Sequence, residues 1–209
     1  MLSQLHIAVL VSGAGSNLQA LLDAQLNGVM HSGRIALVIS DNPEAYALQR
    51  AKAAGVQTFA FDRKALGSEL VEKNILTALQ KWQIDLIVLA GFLMILSSDF
   101  IMCYTGRIIN VHPSLLPAFG GKGYYGLNVH RAALERGVKL SGATVHLVNE
   151  EPDGGPILMQ KAVRVLKNDT PETLQQRIMR QAEWLILPRA AQKLCKQLLK
   201  EALDENRAT

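Results

Sequence analysis

Cysteine is nearly absent: Cys103 and Cys195 are the only two in 209 residues. Two isolated thiols leave no material for a disulfide framework or a cysteine zinc site, and they point to a reducing compartment. No pair among the five histidines falls at metal-ligand spacing, so no metal is expected. Long apolar runs are also missing. The first one, after His6, ends at Gly13, far short of a membrane span. Met1-Leu2-Ser3-Gln4-Leu5-His6 has no basic region of the kind that opens a signal peptide, and a cytoplasmic protein with no membrane partner is expected. Blocks of like charge are absent too. The net charge of +4, with a pI near 9.1, is spread along the chain except at Lys193, Lys196 and Lys200, which read as the solvated face of a helix. Nothing in this distribution calls for a nucleic acid, whereas a small anionic substrate suits it. Internal repeats, low-complexity tracts and linkers are likewise missing, so 1–209 reads as one domain, with 49% hydrophobic and 19% charged residues to build a full core.

What is present is a regular alternation. Ile7-Ala8-Val9-Leu10-Val11 is a continuous apolar run, the pattern of a strand covered on both faces. A turn at 12–16 and a helical pattern over 17–26 follow. Strands are predicted at 34–39, 57–61, 84–89 and 107–111, with helices over 44–54 and 66–82 and a short connecting segment at 97–104. Residues 118–128, with Gly120, Gly121, Gly123 and Gly126 around Tyr124 and Tyr125, read as a long flexible loop. A short helix over 127–135 and two strands at 142–148 and 156–165 come next. Asp169-Thr170-Pro171-Glu172 opens a helix expected to run to 187, with a break at Pro188, a final helix to about 203 and a frayed end at 204–209. The fold class is therefore α/β: a doubly wound, mostly parallel sheet with a late antiparallel strand pair. Such sheets bind ligands past the carboxyl ends of their strands.

Three chemically suggestive stretches fall at those ends. Ser12-Gly13-Ala14-Gly15-Ser16-Asn17 joins a strand to a helix, and its glycines allow backbone N–H groups to converge on an anion at the helix N-terminus. A dinucleotide fingerprint would place glycine or alanine where Leu18 stands, and the P-loop Gly-Lys-Ser/Thr is missing, so a phosphate is the better guest. A tight turn serving packing alone is the competing reading. Ala90-Gly91-Phe92-Leu93-Met94-Ile95-Leu96 offers backbone and apolar walls for a flat heterocycle, or simply core. Asn110 and His112, two apart on a strand, face the same way, and Pro113 and Pro117 stop the strand beyond them. A carboxamide beside an imidazole suits acyl transfer: one group for a developing oxyanion, the other for a proton. Asp153, in Asp153-Gly154-Gly155-Pro156, either caps its own turn or approaches His112 and favours the imidazolium. His130 on a helix and His146 on a late strand have structural explanations, and His6 and His31 read as surface positions.

Together these motifs resemble the folate-dependent phosphoribosylglycinamide formyltransferases, also called glycinamide ribonucleotide transformylases. The resemblance rests on Ser12-Gly13-Ala14-Gly15-Ser16-Asn17-Leu18-Gln19-Ala20, Leu89-Ala90-Gly91-Phe92, the run Asn110-Val111-His112-Pro113-Ser114-Leu115-Leu116-Pro117 and Asp153-Gly154-Gly155-Pro156-Ile157. It runs from Val9 to about Pro188. It implies a Rossmann-like formyltransferase domain, its phosphate-binding half at 1–111 and its folate and catalytic half at 112–209. It implies formyl transfer from 10-formyltetrahydrofolate to glycinamide ribonucleotide by a monomer or homodimer. By the same resemblance Gly15, Ser16 and Asn17 hold the substrate phosphate, and Glu183 meets the glycinamide end. Leu93, Met94, Ile95 and Leu96 line the pterin site with Asn110 and the loop 149–153. Asn110, His112 and Asp153 are the catalytic trio, with His112 held protonated by Asp153. Arg63 or Lys64 matches a basic residue near the folate tail. Two departures stand out: Ala14 replaces a frequent side-chain donor, and Met94 a frequent arginine. The related formyltetrahydrofolate deformylases carry His-His-Ser where this chain has His112-Pro113-Ser114, and an added N-terminal regulatory domain that these residues are not expected to hold. A nucleotide-binding module without catalysis is the other alternative, but it leaves the trio unexplained.

Overall fold

The computed structural model describes residues 4–208; the expectations at Met1-Leu2-Ser3 and Thr209 lie outside them. The chain forms two compact units, one through Phe92 and again from Pro188 on, the other Leu93–Leu187.

In the first unit β1 (Leu5–Val11), β2 (Gly33–Ser40), β3 (Gln57–Ala60) and β4 (Leu86–Leu89) pair in the order β3-β2-β1-β4, every neighbour parallel. Ile7, Val9, Leu10, Leu37, Ile39, Leu86 and Val88 are fully buried, as continuous apolar runs in a parallel sheet require. The connections are α1 (Ser16–Leu26), α2 (Tyr46–Ala53), α3 (Arg63–Leu66) and α4 (Ser68–Lys81). Along α4, Val71, Ile75, Ala78 and Leu79 are buried, the stripe that a 3.6-residue period lays on one face.

The helix expected over 66–82 is α4 at Ser68–Lys81, preceded by the short α3, which the sequence reading does not predict. Asp62 caps α3 by accepting from the N–H groups of Lys64 and Ala65. Gly67 then turns the chain at φ 78°, a conformation costly for other residues, and α4 restarts. No local pattern in the apolar spacing marks this break.

The second unit holds α5 (Ser98–Cys103), β5 (Ile108–His112), α6 (Leu127–Arg136), β6 (Leu140–Leu147), β7 (Ile157–Arg164) and α7 (Pro171–Ile178). β5 pairs antiparallel with β6, and β6 with β7, so the late antiparallel pair is joined by a third strand. Thr170 caps α7 by accepting from Thr173 N–H, with Pro171 in the first turn, as the sequence signature predicts. Arg177 and Asp169 close the same end as a bidentate ion pair.

The expected break at Pro188 is corrected. α7 passes into a widened π turn at Met179–Glu183, and α8 (Trp184–Ala208) includes Pro188. A proline ring clashes with the carbonyl four residues back; here that residue is Trp184, directly after the widened turn, where the backbone has already left regular α geometry. Over 204–208 the expected fraying is replaced by helix, which persists to Ala208. Among the described residues no helix is long and apolar enough to cross a membrane.

Candidate active site

The first-unit stretch Gly13–Asn17 leaves the buried end of β1 and enters α1. Gly15 is its N-cap residue, at φ 73° and ψ 32°. A Cβ there would lie 2.6 Å from Ala47 Cβ and 2.8 Å from Ala47 Cα, so both the backbone angle and the approach of α2 demand glycine. Ser16 is half-buried and Asn17 buried.

In the second unit, strand pairing sets the other group. Asn110 lies opposite His146, and His112 opposite Thr144. The Thr144 hydroxyl donates to the Ser114 carbonyl at 2.7 Å and accepts from Leu116 N–H at 3.0 Å, which fixes the chain as it leaves His112. Asp153 enters from the β6–β7 connection at φ 59°. Its Oδ2 lies 3.3 Å from His112 Nδ1 and accepts from Gly121 N–H at 2.8 Å. Its Oδ1 accepts from Asn110 Nδ2 at 3.4 Å and lies 3.5 Å from His146 Nε2. Asn110, His112 and Asp153 are thus brought together, as the sequence reading expects.

Residues 5–191 match the profile of the family described as formyl transferase. The chain belongs to the formyl transferase family. It is 43% identical to the phosphoribosylglycinamide formyltransferase of Haemophilus influenzae, covering 87% of this chain and 83% of that one. It is 39% identical to the Escherichia coli protein of the same name, with 85% and 81% covered. The solved glycinamide ribonucleotide transformylase 1 of Symbiobacterium toebii superposes with a TM-score of 0.86 at 42% identity, covering 93% of this chain and 89% of that one. Other relatives are longer. The chain spans 60% of the chloroplastic phosphoribosylglycinamide formyltransferase of Arabidopsis thaliana and 14% of the Drosophila melanogaster trifunctional purine biosynthetic protein adenosine-3.

Burial and charge act in opposite directions at His112. His112 is 4% exposed, and burial is the largest influence on it, lowering its pKa below the ordinary histidine value against the opposing pull of Asp153 and the Phe119 carbonyl. Desolvation thus works against the imidazolium, while the Asp153 carboxylate favours it. Its Nε2–H donates to the Phe119 carbonyl at 2.7 Å. Burial alone would raise the Asp153 carboxyl; the His146 hydrogen bond, His112 and the Gly121 N–H outweigh it and leave Asp153 below its usual value, hence ionised.

His146, which the sequence reading assigns to strand packing, is a member of the cluster. Its Nδ1–H donates to the Leu147 carbonyl at 2.9 Å, and its Nε2 lies 3.2 Å from Asn110 Nδ2 and 3.5 Å from Asp153 Oδ1. Its place opposite Asn110 depends on strand register, which one sequence does not display. The Phe119 carbonyl and Gly121 N–H were also missed. They tie the beginning of the glycine-rich loop 118–128 to the trio, so that part of the loop is anchored rather than free-running.

The remaining expected residues differ in exposure. Met94 and Leu96 are buried while Leu93 and Ile95 are exposed, so alternate residues of this segment face the interior. Glu183 is buried in the π turn, a distortion often retained at functional positions. Arg63 turns back to Asp41 at 3.2 Å, whereas neighbouring Lys64 is exposed.

Proposed function

We propose that this chain transfers a formyl group from 10-formyltetrahydrofolate to the amine of glycinamide ribonucleotide, giving formylglycinamide ribonucleotide and tetrahydrofolate in purine synthesis. The observation that carries the reading is the Asn110–His112–Asp153 cluster at a strand end of a formyl transferase fold, with His112 buried and its two partners half-buried. The names of relatives covered over most of their length support the same substrates. The reading takes 1–209 as one cytoplasmic formyltransferase domain, a monomer or homodimer that acts on small molecules without nucleic acid, membrane or metal.

The amine attacks the formyl carbon, forming a tetrahedral centre with one anionic oxygen. Asn110 Nδ2 stabilises that oxygen by exchanging its long bond to Asp153 for a shorter one; an oxyanion donor of this kind is worth about 3 kcal/mol. His112, its imidazolium favoured by Asp153, gives a proton to the folate nitrogen as the C–N bond breaks and takes up the one that the attacking nitrogen loses. The proton count balances, one leaving the amine and one arriving on the folate. Either His112 nitrogen reaches a substrate only by exchanging its present partner, Phe119 carbonyl or Asp153.

Gly15, Ser16 and Asn17 are assigned to the substrate phosphate, and Glu183 to the glycinamide end. Leu93, Met94, Ile95, Leu96 and Asn110 are assigned to the folate ring. Lys64 is favoured over Arg63 for the folate tail, because Asp41 already takes up the Arg63 charge. Gly15→Ala is expected to weaken binding of phosphorylated substrate roughly tenfold, since it combines positive-φ strain with the clash against Ala47; titration calorimetry with the ribonucleotide measures it.

One assay decides the activity. The protein is mixed with 10-formyltetrahydrofolate, with and without glycinamide ribonucleotide, and tetrahydrofolate release is followed. Release only with the ribonucleotide is expected. Release without it would instead indicate the hydrolysis named for a Pseudomonas syringae formyltetrahydrofolate deformylase, which shares 28% identity and a TM-score of 0.82. No release under either condition leaves a binding module.

A further inference from the structure

The phosphate turn is held from behind by four hydrogen bonds to consecutive carbonyls. Ser12 C=O accepts from Asn42 Nδ2 at 3.4 Å, and Gly13 C=O from Ala47 N–H at 3.1 Å. Ala14 C=O accepts from Arg50 Nε at 2.9 Å, and Gly15 C=O from Gln19 N–H at 2.9 Å. Within a trans peptide plane the carbonyl and the following N–H point in opposite directions. Drawing these carbonyls toward α2 and α1 therefore turns the N–H groups of Ala14, Gly15 and Ser16 the other way. Three of those bonds come from neutral groups, the fourth from Arg50. The Arg50 guanidinium also donates through Nη1 to Gln19 Oε1 at 3.1 Å, and it stacks on the Tyr46 ring at 5.0 Å from the centroid.

We propose that Arg50 is a positioning residue for phosphate recognition: by holding the Ala14 carbonyl with Nε and α1 with Nη1, it aims the Gly15 N–H at the bound phosphate. The inference rests on the assignment of Gly15, Ser16 and Asn17 to that phosphate. The two bonds come from two nitrogens at fixed separation, an arrangement the single ammonium of lysine does not reproduce. Stacking on Tyr46 and the bond to Gln19 limit the rotamers of a long side chain, so the brace is in place before a ligand arrives.

The test compares Arg50→Lys and Arg50→Gln with the unaltered chain. Both variants are expected to raise KM for glycinamide ribonucleotide about tenfold, the scale of one charge-assisted hydrogen bond. kcat is expected to stay within about twofold and KM for the folate unchanged. Affinity for inorganic phosphate, read by calorimetry without turnover, falls by the same factor in both. Recovery of the original values by Arg50→Lys would show that charge alone matters and would overturn the proposal. So would unchanged phosphate affinity in both variants, or an equal loss in all parameters accompanied by a lower Tm. A chain that binds phosphate yet never transfers formyl would sink the assigned reaction, while the phosphate titration would still decide the role of Arg50.

Discussion

Asp153→Asn is expected to reduce kcat by about 10²- to 10⁴-fold while leaving KM for both substrates nearly unchanged, the range spanned by a lost acid–base function. The substitution isolates charge from shape. Asparagine has the same outline, and it tolerates the φ of 59° that Asp153 adopts better than most residues. The backbone of the β6–β7 connection therefore stays in place. What changes is the hydrogen-bond inventory. Both carboxylate oxygens of Asp153 now meet donors or imidazole nitrogens: Gly121 N–H and His112 on one side, Asn110 and His146 on the other. An amide must turn its NH2 toward one side, setting a donor against Gly121 N–H or against Asn110 Nδ2. More important, the imidazolium that forms on His112 during transfer loses its counter-charge in a buried place, where burial already works against the cation. Steady-state kinetics with each substrate varied in turn checks the split between kcat and KM. Turnover within a few-fold of the unaltered chain would remove Asp153 from the mechanism.

The parts of this molecule that were legible in the sequence are those governed by local rules. A continuous apolar run marked β1 as a buried parallel strand, and capping chemistry located the start of α7. The pairing of Asn110 with His112 on one strand face follows from the two-residue period alone. Features that depend on another segment were not legible. His146 joins the cluster only because the β5–β6 register sets it against Asn110. The Phe119 carbonyl and Gly121 N–H contribute as backbone, which carries no residue signature. The burial that opposes the pull of Asp153 on His112 is likewise something a sequence does not report. The path through Pro188 went unread for a similar reason: the widened turn that accommodates it lies upstream, and helical periodicity is blind to one extra residue in a turn.

His130 leads to the second large effect, a loss of stability in acid. It sits on α6 with no solvent exposure, and both ring nitrogens lack a hydrogen-bond partner among the described residues. Burial, reinforced by like-charge repulsion from His112, lowers its pKa from 6.5 to about 4. The folded state thus holds this ring neutral at pH values where the unfolded chain protonates it. Because the folded value lies below the unfolded one for a base, the unfolded state binds more protons between the two. Stability is then fully present above pH 6.5 and declines as pH falls toward 4. Integrated over that window, one such group accounts for about 3 kcal/mol, a large share of the roughly 5–15 kcal/mol that holds a typical domain. His112, also lowered by burial, acts in the same direction. His130→Leu, close in volume and without a titrating group, is expected to flatten the decline. Urea unfolding at pH 7 and pH 4.5 measures it: the unaltered chain should lose about 2–3 kcal/mol more than the variant between those values. Parallel losses in the two proteins would place the acid sensitivity elsewhere, and the neutral buried imidazole would then have no thermodynamic signature.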